Sequence, residues 1–79
     1  MTRKRIGIIG LGRLGRKHAE NIHYKIPNAE LTAICSTVKQ ELDEVSRETD
    51  PRYVTTDYNE IITNEDLDGI VIAATSQQH

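Results

Sequence analysis

The stretch Ile6-Gly7-Ile8-Ile9-Gly10-Leu11-Gly12-Arg13-Leu14-Gly15 decides the fold. A short apolar run leads into Gly-x-Gly-x-x-Gly, and an amphipathic stretch follows. With a strand before it and a helix behind it, this spacing is a dinucleotide-binding fingerprint rather than an ordinary glycine-rich turn. Gly10 is expected to turn tightly off the strand. Gly12 lacks a Cβ that would meet a diphosphate, and Gly15 lets the helix approach the sheet. Leu11, Arg13 and Leu14 complete the turn. The free N–H groups of the helix's first turn, with about half a positive charge from the helix dipole, would face the phosphates.

Working outward, Ile6–Ile9 reads as a buried strand, and a helix is predicted from Arg13 to about Ile26. Its stripe is Leu14, Ala19, Ile22 and Ile26, and Pro27-Asn28 stops it. Glu30–Cys35 is a second strand. A weaker helix over Lys39–Arg47 turns Leu42 and Val45 inward, and Thr49-Asp50-Pro51 breaks the chain before an extended piece at Tyr53-Val54. Asp57-Tyr58-Asn59-Glu60 has capping-box spacing, which starts a short helix through Ile62. Leu67–Ala74 is the third core strand. The fold class is therefore α/β, a Rossmann-type parallel sheet. Right-handed crossovers give it a βαβαβ half with its three core strands in the order 2-1-3.

The chain has 79 residues, which suits one such half and not a complete dehydrogenase. Thr75-Ser76-Gln77-Gln78 is a second capping-box pattern with only His79 behind it, so the expectation is a fragment of a longer protein, the alternative being a frayed tail on a minimal domain. Residues 1–79 are then one incomplete dinucleotide-binding domain. The sheet would have a raw edge beside the third core strand, which makes the isolated chain marginally stable or self-associating. Cys35 is the only cysteine, so no intrachain disulfide can form, and metal-type Cys-x-x-Cys spacing is missing. No apolar run is long enough to be a signal peptide or membrane span, and a cytoplasmic setting is the default.

Charge is asymmetric. Residues 1–25 hold seven Lys or Arg against one acid, and the remainder holds three against eleven. Arg3, Lys4 and Arg5 precede the first strand and so lie at the end of the sheet away from the glycine turn. With no aromatic residues among them, they read as a solvated surface and not as a nucleic-acid site. Arg13, and after it Arg16, are the cations placed to help an anionic ligand. For Arg13 a solvated role stands beside that one. His18 lies on or beside the apolar stripe and reads as a hydrogen-bonded packing histidine, because no metal ligands are spaced to join it. Cys35 reads as a small buried hydrophobe.

The glycine turn with Arg16-Lys17-His18-Ala19-Glu20-Asn21, Thr56-Asp57-Tyr58 near the middle, and Ile70-Val71-Ile72-Ala73-Ala74-Thr75…His79 at the end resemble one family. It is the glucose-fructose oxidoreductase, inositol 2-dehydrogenase and rhizopine-catabolism group (Gfo/Idh/MocA), and the likeness runs over essentially the whole chain. Gly12-Arg13-Leu14-Gly15-Arg16-Lys17-His18-Ala19-Glu20-Asn21 most resembles inositol 2-dehydrogenases. The resemblance implies a two-domain oxidoreductase that binds NAD or NADP and acts on a polyol or sugar hydroxyl, with homo-oligomers formed through the second domain. It implies that Ala74-Thr75 and His79 lie by the nicotinamide half. The family's catalytic Lys sits in a Glu-Lys-Pro motif beyond His79, and its partners sit in the second domain. No catalytic residue is carried over.

One departure bears on the cofactor. About twenty residues past the last glycine, an NAD-type fold usually presents an acid to the adenosine ribose. Here Ser36 stands there, followed by Thr37 and Lys39. A hydroxyl can hydrogen-bond a 2′-phosphate and Lys39 can add charge, which admits NADP beside NAD. Equally, Ser36 can bind the ribose hydroxyls of NAD. Two other function classes remain. One is a non-catalytic dinucleotide-binding sensor or regulatory module. The other is a methyltransferase-like fold, which Ser36 in place of an acid argues against.

Overall fold

A computed structural model of the chain describes residues 3–73, the side chains of 13 and 14 excepted. The elements alternate as β1 (Lys4–Ile9), α1 (Arg13–Tyr24), β2 (Ala29–Cys35), α2 (Lys39–Thr49), β3 (Tyr53–Thr55), α3 (Tyr58–Ile62) and β4 (Gly69–Ile72). All pairings are parallel, and the sheet order is β3-β2-β1-β4. The three core strands expected in the order 2-1-3 are β2, β1 and β4. The extended piece at Tyr53-Val54 also takes Thr55 and joins the sheet, pairing Tyr53, Val54 and Thr55 with Ala33, Ile34 and Cys35.

Two apolar layers hold the sheet. On one face Ile8, Leu31 and Ile34 pack with Leu11, with Ala19 and Ile22 of α1, and with Leu42 and Val45 of α2. On the other, Ala33 and Cys35 meet Ile61 of α3, with Ile9, Tyr53 and Leu67 around them. Strand β1 alternates between these faces as the period of two requires, Ile6 and Ile8 to one and Ile9 to the other. Strand β2 does not alternate throughout. Its pairing with β1 slips between Ile6↔Leu31 and Gly7↔Ala33, leaving Thr32 without a partner on β1. This one-residue bulge lets Leu31 and Ile34, three apart, reach the same face.

Several element ends differ from the sequence expectation for local reasons. Helix α1 stops at Tyr24, and Ile26 is 45% exposed instead of closing the stripe. Ile26 precedes Pro27, whose ring bars it from helical backbone, so the chain leaves the helix earlier, at Lys25. Helix α2 runs past Arg47 to Thr49, whose buried hydroxyl donates to the Val45 carbonyl at 2.8 Å. Asp50 then takes left-handed backbone (φ 49°) and Pro51 ends the turn. Only half of the capping box at α3 forms. Asp57 accepts from the Asn59 N–H at 3.0 Å, but the Asp57 N–H donates to Thr55 Oγ1 and not to Glu60. Strand β4 starts at Gly69, because Asp68 is already tied to the backbone of Arg5, accepting from its N–H at 2.8 Å.

Candidate functional site

Parallel pairing aligns the carboxyl ends of the strands, with Ile9 opposite both Cys35 and Ile72 and Cys35 opposite Thr55. The chain leaves all four strands at one edge, where Gly10, Ser36 and Ala73 continue the ladder through backbone bonds to Cys35, Thr55 and Ile9. Ligands of open α/β sheets bind at this edge.

The glycine turn lies there. Gly10 has φ +97°, a region side chains rarely adopt, and a Cβ on it would come within 2.5 Å of the Ala73 carbonyl oxygen. A Cβ on Gly15 would overlap the Gly10 carbonyl and press on Ala73. The tight turn and the close helix–sheet approach expected of these residues are thus both present. Gly12 is the N-cap of α1 and carries no capping side chain, and the helix's first turn holds no acid. Its N–H groups are left to a ligand, and the positive helix end is not neutralised from within.

A hollow of about 210 Å³ opens beside the turn, lined by Ile9, Gly10, Leu11 and Gly12, by Cys35, Ser36, Thr37 and Val38, and by Glu41, Thr56 and Tyr58. An adjoining one of about 400 Å³ shares Leu11, Gly12 and Glu41 and adds Arg16, Lys17 and Glu20. Together they follow the edge from the first turn of α1 to the end of β2. A larger hollow of about 640 Å³ lies between β3 and α3 with the turn after it, but it contains no glycine turn and no open helix start. A bare glycine cradle, an acid-free helix start and a neighbouring hollow fit a dinucleotide's diphosphate and adenosine half.

Of the residues expected in the site, the structure brings together Gly10, Leu11, Gly12, Gly15, Ser36 and Thr37. Arg13 and Leu14 begin α1, and their side chains fall outside what is described. Ala74, Thr75 and His79, with the second capping-box pattern, also lie outside the described residues. Lys39 does not fit the expectation. It is exposed at the start of α2 and lines neither hollow, since the helix begins by carrying it away from the edge. Arg16 pairs with Glu44 of α2 at 2.8 Å, and Arg16's hydrogen bond is the main reason the Glu44 carboxyl is held below its ordinary range. His18 is half-buried, and no hydrogen bond of its ring is found among the described residues. Cys35 is buried, and burial, followed by the charges of Asp57 and Glu60, pushes its thiol up. Among the described residues no cluster of His, Cys, Asp or Glu could hold a metal, and no helix is long and apolar enough to cross a membrane.

Ser36 is placed as expected but is not a free hydroxyl. It is 6% exposed, donates to Glu41 Oε1 at 3.1 Å and accepts from the Val38 N–H at 3.0 Å. Sequence reasoning missed Glu41. The available signal was an acid in the first turn of α2, close in sequence to the ribose position.

Known proteins agree with this geometry. A family model described as an oxidoreductase family with an NAD-binding Rossmann fold (Gfo/Idh/MocA) matches residues 4–79. Myo-inositol 2-dehydrogenase of Thermotoga maritima is 33% identical over 95% of this chain and 22% of its own length. Scyllo-inositol 2-dehydrogenase (NAD(+)) of Bacillus subtilis is 29% identical over the same shares. The crystal structure of scyllo-inositol dehydrogenase from Lactobacillus casei, with bound NAD(H) and scyllo-inositol, superposes with a TM-score of 0.88 at 40% identity. That match covers 99% of this chain and 23% of the other. The chain thus spans about a fifth of the length of these relatives.

Proposed function

The chain belongs to the Gfo/Idh/MocA oxidoreductase family, with its NAD-binding Rossmann fold, and from that premise we propose that it is the cofactor-holding part of a polyol dehydrogenase. The reaction moves hydride between the nicotinamide ring and a hydroxyl-bearing carbon of a polyol or sugar, with inositols the first substrates to try. What carries the reading is the uncapped, acid-free start of α1 beneath a glycine turn in which Gly10 and Gly15 leave no room for a Cβ. The relatives that bear inositol dehydrogenase names support the substrate class.

In this reading the first-turn N–H groups of α1 bind the diphosphate and set the cofactor's direction along the sheet edge. Gly10 and Gly15 fix the height of that cradle above the strands. The bound dinucleotide supplies the hydride acceptor or donor. The groups that handle the hydroxyl proton belong to chain outside these residues, and substrate contacts to a second domain that also forms a homo-oligomer. The cytoplasmic setting expected from the sequence goes with this reading.

The test is to incubate the full-length protein with NAD and myo-inositol, scyllo-inositol or glucose, and to follow NADH absorbance. Turnover on an inositol is the expected result. NADH binding without turnover on any polyol or sugar would leave the non-catalytic dinucleotide module in its place. Failure to bind NADH would remove both.

A further inference from the structure

We propose that Glu41 selects the cofactor, accepting hydrogen bonds from the adenosine ribose hydroxyls of NAD and repelling the 2′-phosphate of NADP. The inference rests on the dinucleotide reading above and goes beyond it, to a residue outside the position where such an acid is normally found.

The end of β2 lacks the usual acid and has Ser36 instead. A serine hydroxyl has one proton and two lone pairs. Here the proton goes to Glu41 Oε1 and one lone pair takes the Val38 N–H. Ser36 therefore cannot donate to a phosphate without letting go of Glu41. Its effect is to hold a carboxylate over the place where it would itself have met the ribose. Glu41 comes from the first turn of α2, five residues on from Ser36.

The position of Glu41 suits that task. It is half-buried and lines both the hollow beside Gly10–Gly12 and the adjoining one on α1, so it stands on the wall between the glycine turn and the end of β2. Among the described residues, its side chain makes no hydrogen bond other than the one from Ser36. The second carboxylate oxygen is open to a vicinal diol, which can offer two O–H donors to one acceptor group. A 2′-phosphate would bring close to two negative charges against this carboxylate. Of the nearby cations whose side chains are described, Arg16 is paired with Glu44, Lys17 is exposed on the adjoining hollow, and Lys39 lines neither. An ordinary solvent-facing helix-start glutamate would not have a buried serine hydroxyl aimed at it.

The experiment is a fluorescence titration of the full-length protein with NADH and with NADPH, for the wild type and for Glu41→Gln, Glu41→Asp and Ser36→Ala. The wild type is expected to favour NADH by tenfold or more, about the worth of one charge-assisted hydrogen bond. Glu41→Gln should shrink that preference roughly tenfold, chiefly through tighter NADPH binding. Glu41→Asp should keep its direction, and so should Ser36→Ala, because a carboxylate remains. A stable Glu41→Gln protein with an unchanged NADH-to-NADPH ratio would overturn the proposal while leaving the dinucleotide site standing. So would a wild type that binds both equally. Binding of neither nucleotide would instead remove the underlying reading, and this one with it.

Discussion

The β1–α1 and β3–α3 junctions open on the same edge of one sheet, yet they treat the start of the following helix in opposite ways. At α3 the cap is filled from within. Asp57 accepts from the Asn59 N–H and Glu60 adds a second acid, so the positive helix end is already met by negative charge. At α1 the cap is Gly12, with no side chain to bond and no acid in the first turn. An Asp cap there would improve the helix in isolation. Its absence means local stability has been forgone where a phosphate would supply the missing acceptors. The β2–α2 junction is intermediate, since the Val38 cap lacks a side-chain bond while Glu41 places a carboxylate in the first turn. On the proposed reading, the first junction takes the cofactor's diphosphate, the second takes its sugar diol and the third takes neither.

The largest effect should come from filling the first junction. Gly15→Val forces a side chain into the Gly10 carbonyl, where backbone and not a flexible side chain must yield. We expect a loss of stability of about 1–3 kcal/mol or more and no NADH binding, read by thermal melting and titration. A protein that melts as the wild type does would show that the helix does not sit this close to the sheet.

Gly12→Asp makes the first junction resemble the third. Gly12 has φ −61° and ψ −170°, ordinary extended backbone for any residue, so the fold should hold and the helix should gain a few tenths of a kcal/mol. NADH affinity should fall about tenfold or more, since a carboxylate now occupies the anion's place. Unchanged affinity would separate the diphosphate from the helix start. The reverse exchange, Asp57→Ala, should cost about 0.5–2 kcal/mol in denaturant unfolding and leave NADH binding as it was.

The smallest effect lies in the brace behind the site. Glu44 is held below the ordinary carboxylate range by its bond to Arg16, so the folded state holds the charged form more tightly than the unfolded chain does. The stability this gives is present above the ordinary value of 4.5 and is lost as pH falls through the lower folded one. Glu44→Gln should therefore flatten the pH dependence of the melting temperature only in the acid range, and by little, because both side chains are 40% exposed. A large change at neutral pH would mean that the pair does more than brace two helices.

The same comparison shows what the sequence could and could not convey. The glycine spacing, the Leu42 and Val45 stripe and the apolar strands were legible because each is a local pattern with one physical solution. The bulge at Thr32 was not, because Leu31, Thr32, Ala33, Ile34 and Cys35 are all buried and a strand without polar positions has no period to read. Strand β3 was legible only as an extended piece, since three residues carry too little pattern to announce a ladder. The Ser36–Glu41 contact escaped because it depends on a turn through Thr37 and Val38 that brings α2 back to Ser36. No fixed spacing encodes that contact. Ser36 reads in the sequence as a lone hydroxyl, whereas in the structure it is one half of a pair with Glu41.

The chain's five glycines offer the most direct measurement, because Gly10, Gly12 and Gly15 lie in the turn while Gly7 and Gly69 lie inside the sheet. In ¹⁵N-glycine-labelled protein titrated with NADH, the amide resonances of the first three should move together and saturate, and those of the other two should stay nearly still. Saturable NADH binding that leaves Gly10, Gly12 and Gly15 in place would contradict the claim that this turn holds the diphosphate.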